Sequence, residues 1–244
     1  MTSLSSASGS SNSRASYYTL IPSLPALAPL HKLQELPCST LKLEQRLTML
    51  NDRDREQLDR ALRLCQRERI GDEEYSDTDE VSHWQEELAA IDDPLVTELI
   101  ADYLESRTLV AALRYRLAGQ SSGADFKGFG PRVWLIQRNW QQPLFGLEHQ
   151  FPWLVRAREA LEANEGRVLE NLLLERFWTR LWRTEQTQHF SFAAIVAYRL
   201  RWALSEYRLR WDQTAAVDYF DRWAEAALDQ FSFEPDPIST GSEA

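Results

Sequence analysis

The chain is poor in glycine, cysteine and lysine, and it has no long apolar run. Nine glycines in 244 residues offer few sites for the tight turns of an all-β protein. With abundant Leu, Ala, Arg and Glu, the composition points to helix. The two cysteines, Cys38 and Cys65, form no Cys-x-x-Cys pair, so no disulfide framework is implied and both read as buried thiols in a reducing compartment. No window reaches the roughly 18 consecutive apolar residues of a spanning helix. The first 16 residues hold mainly Ser, Gly and Asn with a single Arg14. They lack the apolar run of about 7–15 residues that a signal peptide needs and read as a disordered tail. A cytoplasmic protein is expected, touching a membrane only through partners.

Lysine is scarce beside arginine, 3 against 24, and the net charge is −10. The chain as a whole is therefore no binder of nucleic acid. Recognisable chemistry is also missing. His31, His83, His149 and His189 stand at no metal-ligand spacing. There is no Gly-x-Ser-x-Gly and no P-loop. Gly128-Phe129-Gly130-Pro131 has no third glycine of a dinucleotide fingerprint and reads as a turn. No catalytic, cofactor-binding or metal-binding residues are assigned, and a non-enzyme is expected. A helical enzyme with two facing carboxylates is the remaining chemical alternative.

What is present is helical periodicity. Pro22, Pro25, Pro29 and Pro37 break residues 17–38 into extended pieces, with a short strand-like stretch at 17–21. Ser39 or Thr40 can cap a helix bearing Leu41, Leu43, Leu47 and Leu50, and Asn51 caps a second running towards Arg69. Gly71 to Asp93 holds ten carboxylates and no Lys or Arg. It lacks calcium-loop spacing and reads as a solvated loop and helix start. Asp93-Pro94 opens a long helix, and Gly119 stops it. Helices follow over Val155–Ala163, Arg167–Arg183 and Phe190–Trp211, with one more from Gln213 or Thr214 to near Asp229. Leu109–Ala118 weakly resembles Ala194–Ala203, which hints at two related helical units. The expected architecture is an all-α bundle with a short extended N-terminal segment. Its parts are a tail (1–16), an N-terminal unit (17–119), a loop (120–131), a C-terminal unit (132–233) and a flexible tail (234–244).

Arginine and tryptophan recur near the end: Arg199-Leu200-Arg201-Trp202, then Arg208-Leu209-Arg210-Trp211. Nine residues rotate a helix by about 180°, so the two copies face opposite ways. A single stacking surface for nucleic acid is not expected. Core packing with arginine stems along the surface and a protein-docking role both fit.

Tyr17-Tyr18-Thr19-Leu20-Ile21-Pro22-Ser23-Leu24-Pro25 resembles the start of a small bacterial family whose members begin Tyr-Tyr-x-Leu-x-x-x-Leu-Pro. Genes of that family lie among those for V/A-type ATPases. The family resembles a reduced form of that machine's C-type subunit, called d in the eukaryotic V-type enzyme. The continuation is similar: an apolar pair at Leu47 and Leu50, aspartates at Asp52 and Asp54, then W-L-I-Q-R-N-W (Trp134–Trp140) and F-x-W-L (Phe151–Leu154). The resemblance implies a non-catalytic subunit between the central stalk and the proteolipid ring, peripheral to the inner membrane. The full C-type subunit is longer and is similar to three helical domains, whereas this chain has room for about two. The residues expected to face partners are Tyr17, Tyr18, Arg199, Arg201, Trp202, Arg208, Arg210 and Trp211. The alternative is an all-α adaptor with another partner.

Overall fold

A computed structural model describes residues 16–66 and 77–230, with side chains to position 211. Among the described residues there is no strand. The helices are α1 (residues 16–23), α2 (Thr40–Leu47), α3 (Asp52–Cys65), α4 (Asp77–Ala89), α5 (Pro94–Leu117), α6 (Val133–Arg138), α7 (Trp153–Glu162), α8 (Gly166–Thr187) and α9 (Phe192–Gln230), with one 3-10 turn at Leu30–Lys32. The fold is all-α, as its composition predicts. The expected tails, apart from Ser16, and the first acidic residues, 71–76, lie outside the described residues, as does the extension of the second helix to Arg69.

The N-terminal segment is a correction. It is helical over 16–23, not extended. Tyr17, Leu20, Ile21 and Leu24 stand at i, i+3, i+4 and i+7, which is one helix face. Tyr17 and Leu20 are buried, and Ile21 and Leu24 pack against the same core. Pro22 falls in the last turn, where its missing amide costs a single backbone bond, to the Tyr18 carbonyl. The Ser23 hydroxyl donates to the Leu20 carbonyl at 2.6 Å and helps close the end. Burying a side chain such as Leu20 contributes roughly 1.5–3 kcal/mol, enough for a two-turn helix to form on a core that it could not form without.

Side-chain caps set the starts of α2, α3 and α5. Ser39 accepts from Lys42 N at 3.4 Å, Asn51 from Asp54 N at 2.8 Å, and Asp93 from Leu95 N and Val96 N at 2.9 and 3.1 Å. Gly119, with φ 91°, follows α5 and ends it.

A second correction concerns the end of the described chain. The two helices expected over 190–229 are one, α9, of 39 residues. No Gly or Pro interrupts Phe192–Gln230, and Gln213 and Thr214 are not helix breakers. At 1.5 Å per residue α9 is about 58 Å long, against about 33 Å for the 22 residues of α8. The two run antiparallel as the most extensive helix pair. The Arg167 guanidinium lies 5.5 Å from the Trp211 ring, so α9 continues past the level at which α8 begins.

Two apolar cores are built on this frame. The first gathers α1 to α4, the first half of α5, and α8 with α9. The second gathers the last part of α5, α6, α7 and Leu169 at the start of α8. The first therefore draws on residues from both sides of the 120–131 loop. The two similar stretches part company: Leu109, Ala112 and Leu113 lie in the second core, and Ile195, Val196 and Trp202 in the first. Between the cores α5 carries a polar belt. Arg132 pairs with the buried Glu105 at 2.6 Å. Arg176 holds Asp102 and donates to the Ser106 hydroxyl at 2.9 Å. The Phe129 amide donates to Thr108 Oγ1 at 2.8 Å. Each buried polar group of the belt thus has a partner, which removes most of the cost of placing it there.

Candidate interaction surface

The eight residues singled out from sequence fall in three settings. Tyr17 is interior and its hydroxyl donates to Asp54 Oδ2 at 2.5 Å. Trp202 is completely buried and Arg201 is 3% exposed. Arg201 pairs with Glu185 at 2.5 Å and lies 4.1 Å over the Trp178 ring. These three stabilise the interior. Arg199 spans to α2, pairing with Glu44 at 3.1 Å. Arg208 donates to Asn171 on α8 and lies over the half-buried Trp211, which also stacks with Tyr207. Arg210 is exposed and lines a cavity of about 290 Å³ with Leu62, Cys65 and Phe177. The two R-L-R-W copies do not face opposite ways as expected: Trp202 lies in the first core, and Trp211 packs against the edge of the same core beside Arg167 of α8.

Tyr18 is the outward member of the tyrosine pair. It is 60% exposed and stacks on Phe190 with centroids 4.6 Å apart. Phe190 sits in the turn from α8 to α9 with φ 52°, a left-handed conformation that is unfavourable for a bulky side chain. That backbone holds the ring at the surface, 39% exposed. Beside the pair opens a cavity of about 180 Å³ lined by Ile21, Leu24, Pro25, Ala194 and Tyr198, with Glu185 and His189 at its polar side. The Tyr198 hydroxyl donates to the Pro25 carbonyl at 2.7 Å. Burial pushes Tyr198 well above the usual phenol range, with the negative neighbourhood of Cys38 and Glu185 adding to it. The tyrosine–proline segment is therefore fastened to the α8–α9 turn and presents an aromatic, apolar face there. From Phe190 to Trp211 is about 31 Å along the helix, so Tyr18 and the second R-L-R-W copy do not share one patch.

No chemistry converges on either region. Among the described residues no group of three or more His, Cys, Asp or Glu side chains is arranged to hold a metal ion, and no helix is long and apolar enough to cross a membrane.

No family model, no curated protein and no solved structure matches the chain.

Sequence patterns missed Phe190, whose only local signal is an aromatic beside His189 between two helices. They also missed Glu185 as the counter-charge of a buried arginine. Sixteen positions separate Glu185 from Arg201, so only the α8–α9 hairpin brings them together.

Proposed function

We propose that this chain is a non-catalytic subunit of a V/A-type proton- or sodium-translocating ATPase, linking the central stalk to the membrane ring as the C/d-type subunit does. The observation that carries the proposal is the Tyr17–Asp54 contact. Those residues belong to two separate parts of the pattern that resembles the ATPase-associated family, and they form one buried unit. The later parts of that pattern also share a location, since Ile136, Trp140, Phe151 and Leu154 all lie in the second core. The partners under this proposal are central-stalk subunits and the proteolipid ring. The chain itself would sit on the cytoplasmic side, peripheral to the inner membrane through the complex, with no cofactor. Transmitting torque calls for stiff, well-packed helices and docking faces, and the crossing of α5 and α8 through both cores supports that mechanical role.

The exposed Tyr18–Phe190 stack favours protein docking in general, and so also fits an all-α adaptor with a different partner. Affinity purification of the tagged full chain, from a cell that makes the ATPase, separates the two. Stalk and proteolipid subunits retained in stoichiometric amount support the proposal. A chain that never associates with an ATPase present in the same cell rules it out.

A further inference from the structure

Trp134 and Trp140 close the two ends of one motif, W-L-I-Q-R-N-W, and have opposite surroundings. Trp140 is 4% exposed, and its indole N–H donates to the Gln120 carbonyl at 2.7 Å. Trp134, one turn and a half earlier, is 57% exposed. Among the described residues its ring stacks on nothing and its N–H has no acceptor. Arg138 stands four residues on, on the same face of α6, exposed and without an ion-pair partner among the described residues. Tryptophan and arginine are among the residue types most enriched at interface hot spots.

The charge around it says what kind of surface it fits. Residues 16–108 carry ten Lys and Arg against twenty Asp and Glu, whereas residues 109–169 carry eight against five. The segment that builds most of the second core is thus the basic part of a chain with net charge −10. An unpaired cation four residues from an exposed apolar anchor, in a segment of net positive charge, complements an acidic surface and is repelled by a basic one. We infer that the outer face of α6, with Trp134 as anchor and Arg138 as charge, docks an acidic protein surface of the ATPase partner. This rests on the subunit proposal above.

The test uses the full chain in cells that make the ATPase, with benzoylphenylalanine at position 134 for photo-crosslinking, and W134A, R138E and R138K variants for retention. Expected are a crosslink from 134 to an acid-rich segment of an ATPase subunit and a weakening of retention by roughly tenfold or more in W134A and R138E. R138K keeps most of the binding, and the loss in R138E grows as salt is lowered. Both side chains are exposed, so the thermal melting of the variants stays at that of the parent. If the parent is retained and W134A and R138E are retained equally well, this inference is wrong and the subunit proposal stands. If the parent itself is not retained, both fall.

Discussion

The hydroxyl of Tyr17 lies 2.5 Å from Asp54 Oδ2, joining α1 to the first turn of α3 across 37 positions of sequence. The same carboxylate oxygen accepts from Asn51 Nδ2 at 2.8 Å, so the cap of α3 and the anchor of α1 share one acceptor. Tyr17→Phe keeps the ring packed and removes only the donor. It is expected to cost about 1–3 kcal/mol, the range for breaking a buried hydrogen bond to a charged group. Urea unfolding reads this as a lower midpoint at unchanged slope. A double-mutant cycle with Asp54→Asn should show coupling, since the residues touch. Additive losses would mean that the bond contributes nothing.

Arg201 is a buried cation whose counter-charge among the described residues is Glu185, itself 24% exposed at the side chain. Glu185→Gln leaves the guanidinium in the interior without a compensating charge. Stranding a buried charge costs roughly 3–5 kcal/mol, reduced here by the partial access of water to position 185. The expected result is a clear drop in melting temperature, larger than for neutralising an exposed pair such as Arg53–Asp92, which water and salt screen. Equal effects at the two sites would contradict the burial argument.

Alkaline pH should loosen the fastening of the N-terminal segment. Tyr198 keeps its proton more tightly folded than unfolded, so its contribution is complete below the ordinary phenol value of about 10. It is lost as pH rises through that value towards the higher folded one. Stability followed from pH 8 to 11 should therefore fall at the top of the range. Tyr198→Phe should be less stable than the parent at pH 8, having lost the bond to the Pro25 carbonyl, and should show a shallower alkaline decline. Tyr115, raised by its bond to Asp77, leaves some of that decline in the variant.

Gly123 tests the packing of the second core. A methyl at this position would lie 2.5 Å from Trp140 Cε3 and 3.1 Å from the Gln137 backbone. The ring cannot retreat, because its N–H is held by the Gln120 carbonyl and its face packs with Phe126 and Phe145. Gly123→Ala is expected to destabilise by about 1–3 kcal/mol through overpacking, with a change in tryptophan fluorescence. Gly119→Ala, with open space around it, should show no fluorescence change and only the strain of its positive φ.

How much of this was legible in the sequence depended on whether the signal was local. Ser39, Asn51 and Asp93-Pro94 marked helix starts because capping is settled within four residues. Gly119 marked an end for the same reason. The α1 helix carried its own signal at Tyr17, Leu20, Ile21 and Leu24, but Pro22 within it and three further prolines up to Pro37 oppose helix locally and masked that period. The helical periodicity of α5 was plain, yet its polar belt was not. Glu105, Ser106 and Thr108 look like exposed positions until Arg132, Arg176 and the Phe129 amide arrive from distant parts of the chain. Trp134 and Trp140 could not be sorted into outside and inside, because in so short a helix neighbouring loops decide burial more than periodicity does.

Because α5 and α8 each enter both cores, the chain resembles a truss more than two beads on a string. The unbroken backbone hydrogen bonds of α5 run about 36 Å from Pro94 to Leu117, with no linker at the border between cores to act as a joint. Bending one core against the other would mean breaking helix rather than swinging a loop. Heat should accordingly melt both cores in one cooperative transition. A push delivered at one end of such a part reaches the other as displacement, with little of it absorbed on the way.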